Sequence, residues 1–390
     1  TNKKQITMKV INLLARAVFG AVFIFSGFVK AVDPWGTAYK IEEYLSAFSM
    51  SGLVEAMSWL PITASVVLCC LEFMTGVLMF FGFYRKTGRL VSAVFMAFFT
   101  ILTFVDALTN RVSDCGCFGD AVTLTNWQTF WKNIVLDVIL VVIFLCERKA
   151  DFAKSTVNAH LLTSIFSVFI LSFAIYNSVY EPVIDFRPWK IGNRMIAVGD
   201  DATPPESFAT YKNNKSGKER EFNTEDLMAE YQQNPNFASE WTFVDSRVVN
   251  TNTIAADGFS LQAIGFDEDE TIDILSDTSS DLYMITAFDL TKTSDKGMKV
   301  IIPFANKAIG SGARVIFVTA SSSENCATFI EKYHLTNITF YNADDKAIKT
   351  ILRSNPGVIK ITNGKSLAKC RLMRLTCKYV TKFTQNMESI

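Results

Sequence analysis

Five apolar runs, at roughly residues 10–28, 62–83, 90–108, 131–145 and 160–179, constrain this chain more than any other feature. A helix needs about 20 such residues to cross about 30 Å of hydrocarbon, and most of the runs approach that length. The fourth is short, but Trp127 and Trp131 are placed to anchor its entry at headgroup level. Hydrophobic residues make up 49% of the 390 residues, Phe alone occurs 33 times, and the excess lies before residue 182. The first half therefore reads as membrane-embedded and the second as soluble. The stretch "FSGFVKAVDPWG" offers no small-x-small cleavage site, so the first run reads as a span and not a removed leader. Basic and acidic residues balance at 38 each, which leaves no basic field for nucleic acid.

Lys and Arg placement sets the expected orientation. Lys3, Lys4 and Lys9 precede the first run, Arg85, Lys86 and Arg89 fill the second loop, and Arg148, Lys149 and Lys154 the fourth. The first loop is mixed and acidic, and the third sets only Arg111 and Lys132 against Asp114 and Asp120. The N-terminus is thus expected in the cytoplasm. Five crossings place the first loop, the third loop and everything after residue 179 outside.

The soluble half opens with a polar, strand-rich connecting region over 182–262. From 263 to 369 the pattern alternates between strand and helix. "LYMITAFDL", "ARVIFVTAS", "NITFYNA" and "PGVIKIT" read as strands, with "KGMKVIIPFANKAIGSG", "SSENCATFIEKYHL" and "DDKAIKTILRSN" as helices between them. Such alternation predicts an α/β sheet with crossover connections. The order of elements, with Pro356 in "SNPGVIKI", resembles the thioredoxin-like fold. Where a thioredoxin carries Cys-x-x-Cys, this chain reads "FDLTKTSDKG", which holds no thiol. A binding or docking module is therefore expected there, followed by a basic tail over 370–390.

The third loop contains "DCGCFGDAV". A disulfide between Cys115 and Cys117 would close a tight ring, and bonds forced from relaxed geometry are more easily reduced. Gly116 tolerates the backbone angles such a ring needs. Three readings stand side by side: a redox pair, a structural turn or staple, and part of a metal site. The last lacks ligands, because His160 and His334 are the two histidines and neither sits in ligand spacing, so no metal is expected. Carboxylates at membrane depth are costly and mark either a polar cavity or a satisfied packing contact, for example with Thr75, Lys30 or each other. Glu72 lies deepest and is the foremost candidate for proton handling or headgroup binding. Asp106 and Asp137 flank the cysteine loop, and Lys30 sits at the exit of the first run; all are expected to line one outer pocket. "AYKIEEYLSAF" predicts an amphipathic surface helix with Tyr39, Ile41, Tyr44, Leu45 and Phe48 toward lipid. Cys326 falls in a helical first turn, where a thiol pKa can be lowered. Cys370 and Cys377, seven apart, read either as a pair outside the membrane or as two free thiols.

"LLARAVFGAVFIFSGFVKAVDPWGTAYKIEEYL", the Glu72 helix and "DCGCFGD" together resemble the DoxX-like membrane proteins, nearest the MauE-like branch. The resemblance covers 8–146 as a four-helix core; residues 158–181 add a fifth transmembrane helix, and extended bacterial members carry a thioredoxin-like C-terminal region. It implies a bundle laid out like vitamin K epoxide reductase, acting in electron transfer or disulfide formation beside a thiol partner. Carried over, Cys115 and Cys117 would be the redox pair, with Glu72 and Asp106 assisting proton transfer. Lys30, Glu72 and Asp137 would line a site for a membrane quinone. The chain is thus expected to be a multi-pass protein of the bacterial inner membrane, working as a quinone-linked thiol–disulfide component with a periplasmic C-terminal domain. The alternative is a non-catalytic scaffold that docks an envelope assembly.

Overall fold

Apolar length dictates the first unit, residues Thr1–Arg187. Its long helices are α1 (Asn2–Val32), α4 (Leu60–Phe81), α5 (Arg85–Thr109), α6 (Asn126–Lys149) and α7 (Ala159–Val179), with the shorter α2 (Pro34–Ala47) and α3 (Ser51–Ala56) between α1 and α4. These five are long and apolar enough to cross a membrane, by length and composition. The computed structural model describes residues 2–112, 116–149, 158–196, 206–234, 236–249 and 259–371. The fourth run, short in hydropathy, is a full-length helix of 24 residues, because Asn126–Phe130 continue it past the apolar stretch.

Two cores knit the bundle. Phe19, Phe23, Met79, Met96, Leu136, Leu140 and Ile143 join α1, α4, α5 and α6. On the other side Ala31, Cys69, Phe73, Val77, Ile170 and Ala174 join α1, α4 and α7. Without water to hydrogen-bond exposed backbone, association inside a bilayer depends on close packing. Glycines supply it here. A Cβ on Gly20 would lie 2.7 Å from the Phe80 nitrogen, on Gly76 2.5 Å from that of Ile24, and on Gly27 2.4 Å from that of Phe73. At one end Arg16 donates from Nε to the Met79 carbonyl at 2.8 Å, satisfying an orphan group at the C-terminus of α4. At the other, Trp35 Nε1 reaches the Ser178 carbonyl at 2.8 Å and Asn177 Nδ2 the Ala31 carbonyl at 3.1 Å, tying α7 to α1 and α2.

The second unit is Pro188–Ile390. It carries β1 (Glu206–Asn213), β2 (Glu219–Asn223), α8 (Thr224–Gln233), α9 (Phe237–Glu240) and β3 (Trp241–Val249), with an antiparallel sheet in the order β2-β1-β3. Then come β4 (Gln262–Ala263), α10 (Thr271–Ser276), β5 (Leu282–Thr286), α11 (Asp295–Gly310), β6 (Arg314–Thr319), α12 (Ser323–Tyr333), β7 (Thr339–Asn342), α13 (Asp345–Ile351), β8 (Gly357–Thr362) and β9 (Lys365–Arg371). The six-stranded order is β4-β7-β6-β5-β8-β9. β5, β6 and β7 are parallel, with Leu282 opposite Arg314 and Ile316 opposite Thr339. β8 runs antiparallel to β5, with Met284 opposite Ile359. β5 is buried along its whole length, which suits a central strand covered on both faces. The Asn355–Pro356 peptide before β8 is cis.

Two sequence expectations change here. "PGVIKIT" is not the last strand: after the turn at Asn363–Gly364 the chain returns as β9, pairing Val358 with Cys370. The stretch expected as a separate connector also splits. Trp189, Met195, Ile196, Phe259 and Leu261 belong to the same core as Met284 and Ile359. Met195 N bonds the Gly364 carbonyl at 2.6 Å, so the segment just after Arg187 is part of this domain. Residues 372–390, including Cys377, lie outside the described residues.

Candidate functional site

Ser26 and Lys30 lie four residues apart on α1 and so share a face. Opposite them on α4 is Glu72. The Gly27 contact brings the two backbones close at this level, since its missing side chain leaves room for Phe73 and the Cys69 carbonyl. Lys30 Nζ lies 2.7 Å from both Glu72 oxygens. Lys30 is 5% exposed and Glu72 2%, so the pair is closed off from solvent. Two charges can be held at this depth because each compensates the other, whereas either alone would be prohibitive.

The cysteine loop reaches the same point. Ser26 Oγ stands 2.9 Å from Glu72 Oε2 and donates toward the Cys117 carbonyl at 2.7 Å, while Lys30 Nζ donates to the Ser26 oxygen at 3.2 Å. Gly116 (φ +62) and Gly119 (φ +50) take left-handed conformations that let the chain turn back onto the bundle. Gly119 N closes that turn on the Gly116 carbonyl at 3.1 Å. Phe118 packs on Phe25 with ring centroids 5.4 Å apart, and Lys132 of α6 stands over the Phe118 ring at 4.6 Å. Cys115 lies outside the described residues.

Ser26, Lys30, Glu72, Cys117, Lys132 and Asn133 provide the polar lining of a small cavity of about 30 Å³, closed by Phe23, Met96, Phe99 and Phe118. That is room for a buried water and far below the hundreds of Å³ typical of organic ligand pockets. A quinone ring does not fit it. What the arrangement can do is hold and redistribute protons among a carboxylate, an ammonium and a hydroxyl beside the loop backbone.

The expected common pocket holds Lys30 and Glu72 but not Asp106 or Asp137. Asp106 accepts from the Tyr44 hydroxyl at 2.5 Å, and Asp137 from Thr100 at 2.8 Å. Tyr44 therefore turns into the bundle and not toward lipid, because a membrane carboxylate outbids lipid for its hydroxyl. Ser26, Lys132 and Asn133 escaped sequence reading. The i, i+4 spacing of Ser26 and Lys30 was a signal for the first; the others come together through tertiary packing alone.

Outside the spans, Arg187 is 1% exposed and bonds Asp185 from Nε at 2.7 Å and Glu181 at 2.7 Å. Burial opposes its charge, but these carboxylates outweigh it and raise the guanidinium above its ordinary value. Cys326 departs from expectation: burial pushes its thiol up, which makes it a packing residue and not a nucleophile. Among the described residues no group of three or more His, Cys, Asp or Glu side chains is placed to hold a metal.

No curated protein and no solved structure matches the chain significantly. Residues 8–146, which contain every residue of the Ser26–Lys30–Glu72–Cys117 site, match the family model described as methylamine utilisation protein MauE.

Proposed function

We propose that this protein is a membrane-bound thiol–disulfide electron-transfer component whose working pair is Cys115 and Cys117. One observation carries the reading: the Cys117 carbonyl is bonded to Ser26, which also meets the buried Lys30–Glu72 pair. A loop cysteine tied to a desolvated carboxylate and ammonium has a proton store at hand, which a step that ionises thiols requires.

In the proposed step a partner thiolate attacks the Cys115 sulfur of a Cys115–Cys117 disulfide, and Cys117 leaves as thiolate. A second partner thiolate then displaces Cys115 from the mixed disulfide. Two electrons pass to the pair, the partner gains a disulfide, and two protons are taken up as Cys115 and Cys117 become thiols. The donor is thus an extracytoplasmic dithiol protein. Reoxidation is a separate step; a quinone acceptor would have to dock outside the 30 Å³ cavity. The Lys and Arg bias supports an N-terminus in the cytoplasm, with the loop and the C-terminal domain in the periplasm of a bacterial inner membrane.

The C-terminal domain is read as thioredoxin-like from its strand order, with three parallel strands followed by an antiparallel β8 and β9. Its β5–α11 connection holds Asp289, Ser294 and no cysteine, which favours a docking role for this domain alongside the redox reading. The decisive experiment is trapping. Mixed with a dithiol protein in its oxidised, disulfide form, Cys117→Ser should accumulate a mixed disulfide: the Cys115 thiolate attacks the partner disulfide, one partner thiolate leaves, and no Cys117 thiol is there to resolve the product, which reductant reverses. If both cysteines resist thiol reagents and the double variant keeps function, the redox reading falls and the docking role remains.

A further inference from the structure

Ser26 has one hydroxyl hydrogen and faces two acceptors. Glu72 Oε2 lies 2.9 Å from its oxygen and the Cys117 carbonyl 2.7 Å, while Lys30 Nζ, at 3.2 Å, occupies an acceptor site on the same oxygen. The two acceptors cannot both be served at once. A hydrogen bond to an ionised carboxylate is roughly twice as strong as one to a neutral carbonyl. The charge on Glu72 therefore decides where the Ser26 proton points.

We propose that Ser26 is a positioning residue, a latch through which the protonation state of Glu72 sets the grip on the loop segment 116–121. With Glu72 ionised, the hydroxyl turns to the carboxylate and the Cys117 carbonyl loses that donor, so the loop loosens. With Glu72 neutral, the hydroxyl turns to Cys117 and the loop is held against α1. Among the described residues, the cavity wall beside Glu72 carries Ser26 and Lys30 from α1, Lys132 and Asn133 from α6, the uncharged Met96 and Phe99 from α5, and Cys117 with Phe118 from the loop. On its own helix Cys69 lies one turn away. Lys30 and Lys132 are the two cations on the cavity wall beside Glu72. The meaning of the latch for electron transfer rests on the thiol reading above: a proton captured by Glu72 would close the loop once the exchange is complete.

The latch can be read without either thiol. Amide hydrogen exchange of the loop over 116–121 is measured in full-length protein carrying Cys115→Ser and Cys117→Ser. Glu72→Gln, a neutral stand-in, should slow that exchange about fivefold, the worth of one ordinary hydrogen bond. Ser26→Ala should abolish the slowing and Ser26→Thr should keep it. If Glu72→Gln misfolds around an uncompensated Lys30, the Lys30→Gln/Glu72→Gln pair carries the same expectation. The latch is overturned if neutralising Glu72 leaves loop exchange unchanged, or if the slowing persists in Ser26→Ala. Trapping of a mixed disulfide would be untouched by either result, so the latch and the redox reading fail separately.

Discussion

Lys30 and Glu72 each lose nearly all their water, and their ionic contact at 2.7 Å is what makes that tolerable. Removing one partner of a buried pair leaves a bare charge and costs about 3–5 kcal/mol. Lys30→Met should therefore lower stability by about that much in detergent unfolding, and Lys30→Met/Glu72→Leu should recover most of it. A loss under about 1 kcal/mol would put the pair in the range of hydrated surface ion pairs. The charges were legible in the sequence, because a carboxylate ten residues into an apolar run needs either a polar cavity or a packing partner. Their partners were less so: Lys30 is four residues from Ser26, yet Asp106 and Tyr44 are 62 positions apart. Cys326 shows the converse. Its position in a helical first turn was legible, but its burial against the sheet was not, and burial governs the thiol.

Helix contacts, more than single side chains, hold the site in register. Along α1 and α4 the glycines at 20, 27 and 76 let backbones touch, and Gly27 sits one residue from Ser26 and three from Lys30. Gly27→Leu forces a Cβ to within 2.4 Å of the Phe73 nitrogen and 2.8 Å of the Cys69 carbonyl, so α1 has to move. Overpacking of this kind costs about 1–3 kcal/mol. The thermal midpoint should fall, and Cys117 should label faster as Ser26 withdraws from the loop. Gly52→Leu is the control: nothing lies within 4 Å of its Cβ position, so both readouts should stay near wild type. An unchanged midpoint in Gly27→Leu would mean that the helices have slack at this level. At the same scale, α5 was readable from its apolar length, and the strands of the second unit from their alternation with helical segments. β9 was not: Lys365, Lys369 and Arg371 read as a basic tail, while Ser366 and Cys370 are buried and carry the pairing with β8.

At the scale of the whole molecule, the five span-capable helices among the described residues turn local charge bias into an expectation about sides. The ends of α1, α4, α5, α6 and α7 alternate between a basic set and an acid-containing set. The basic set gathers Lys3, Lys4, Lys9, Arg85, Lys86, Arg89 and Arg148; the opposite set has Asp33, Asp120 and Glu181, with Arg111, Lys132 and Arg187 among them. Arg187 and Glu147 do not blur this bias, because each is paired within its own end, to Asp185 and to Arg89 respectively. Lys and Arg near short loops are retained in the cytoplasm, so the basic end is expected there and the C-terminus on the far side. A periplasmic phosphatase fused after residue 390 should then be active, and a fluorescent protein that matures only in the cytoplasm should stay dark. Fusions in the loop between α4 and α5 should give the opposite pair. In the expected orientation the cysteine loop lies outside the cytoplasm, where disulfides persist. A bright C-terminal fusion would place the loop in a reducing compartment. That would remove the setting in which a Cys115–Cys117 disulfide persists, and the redox reading with it.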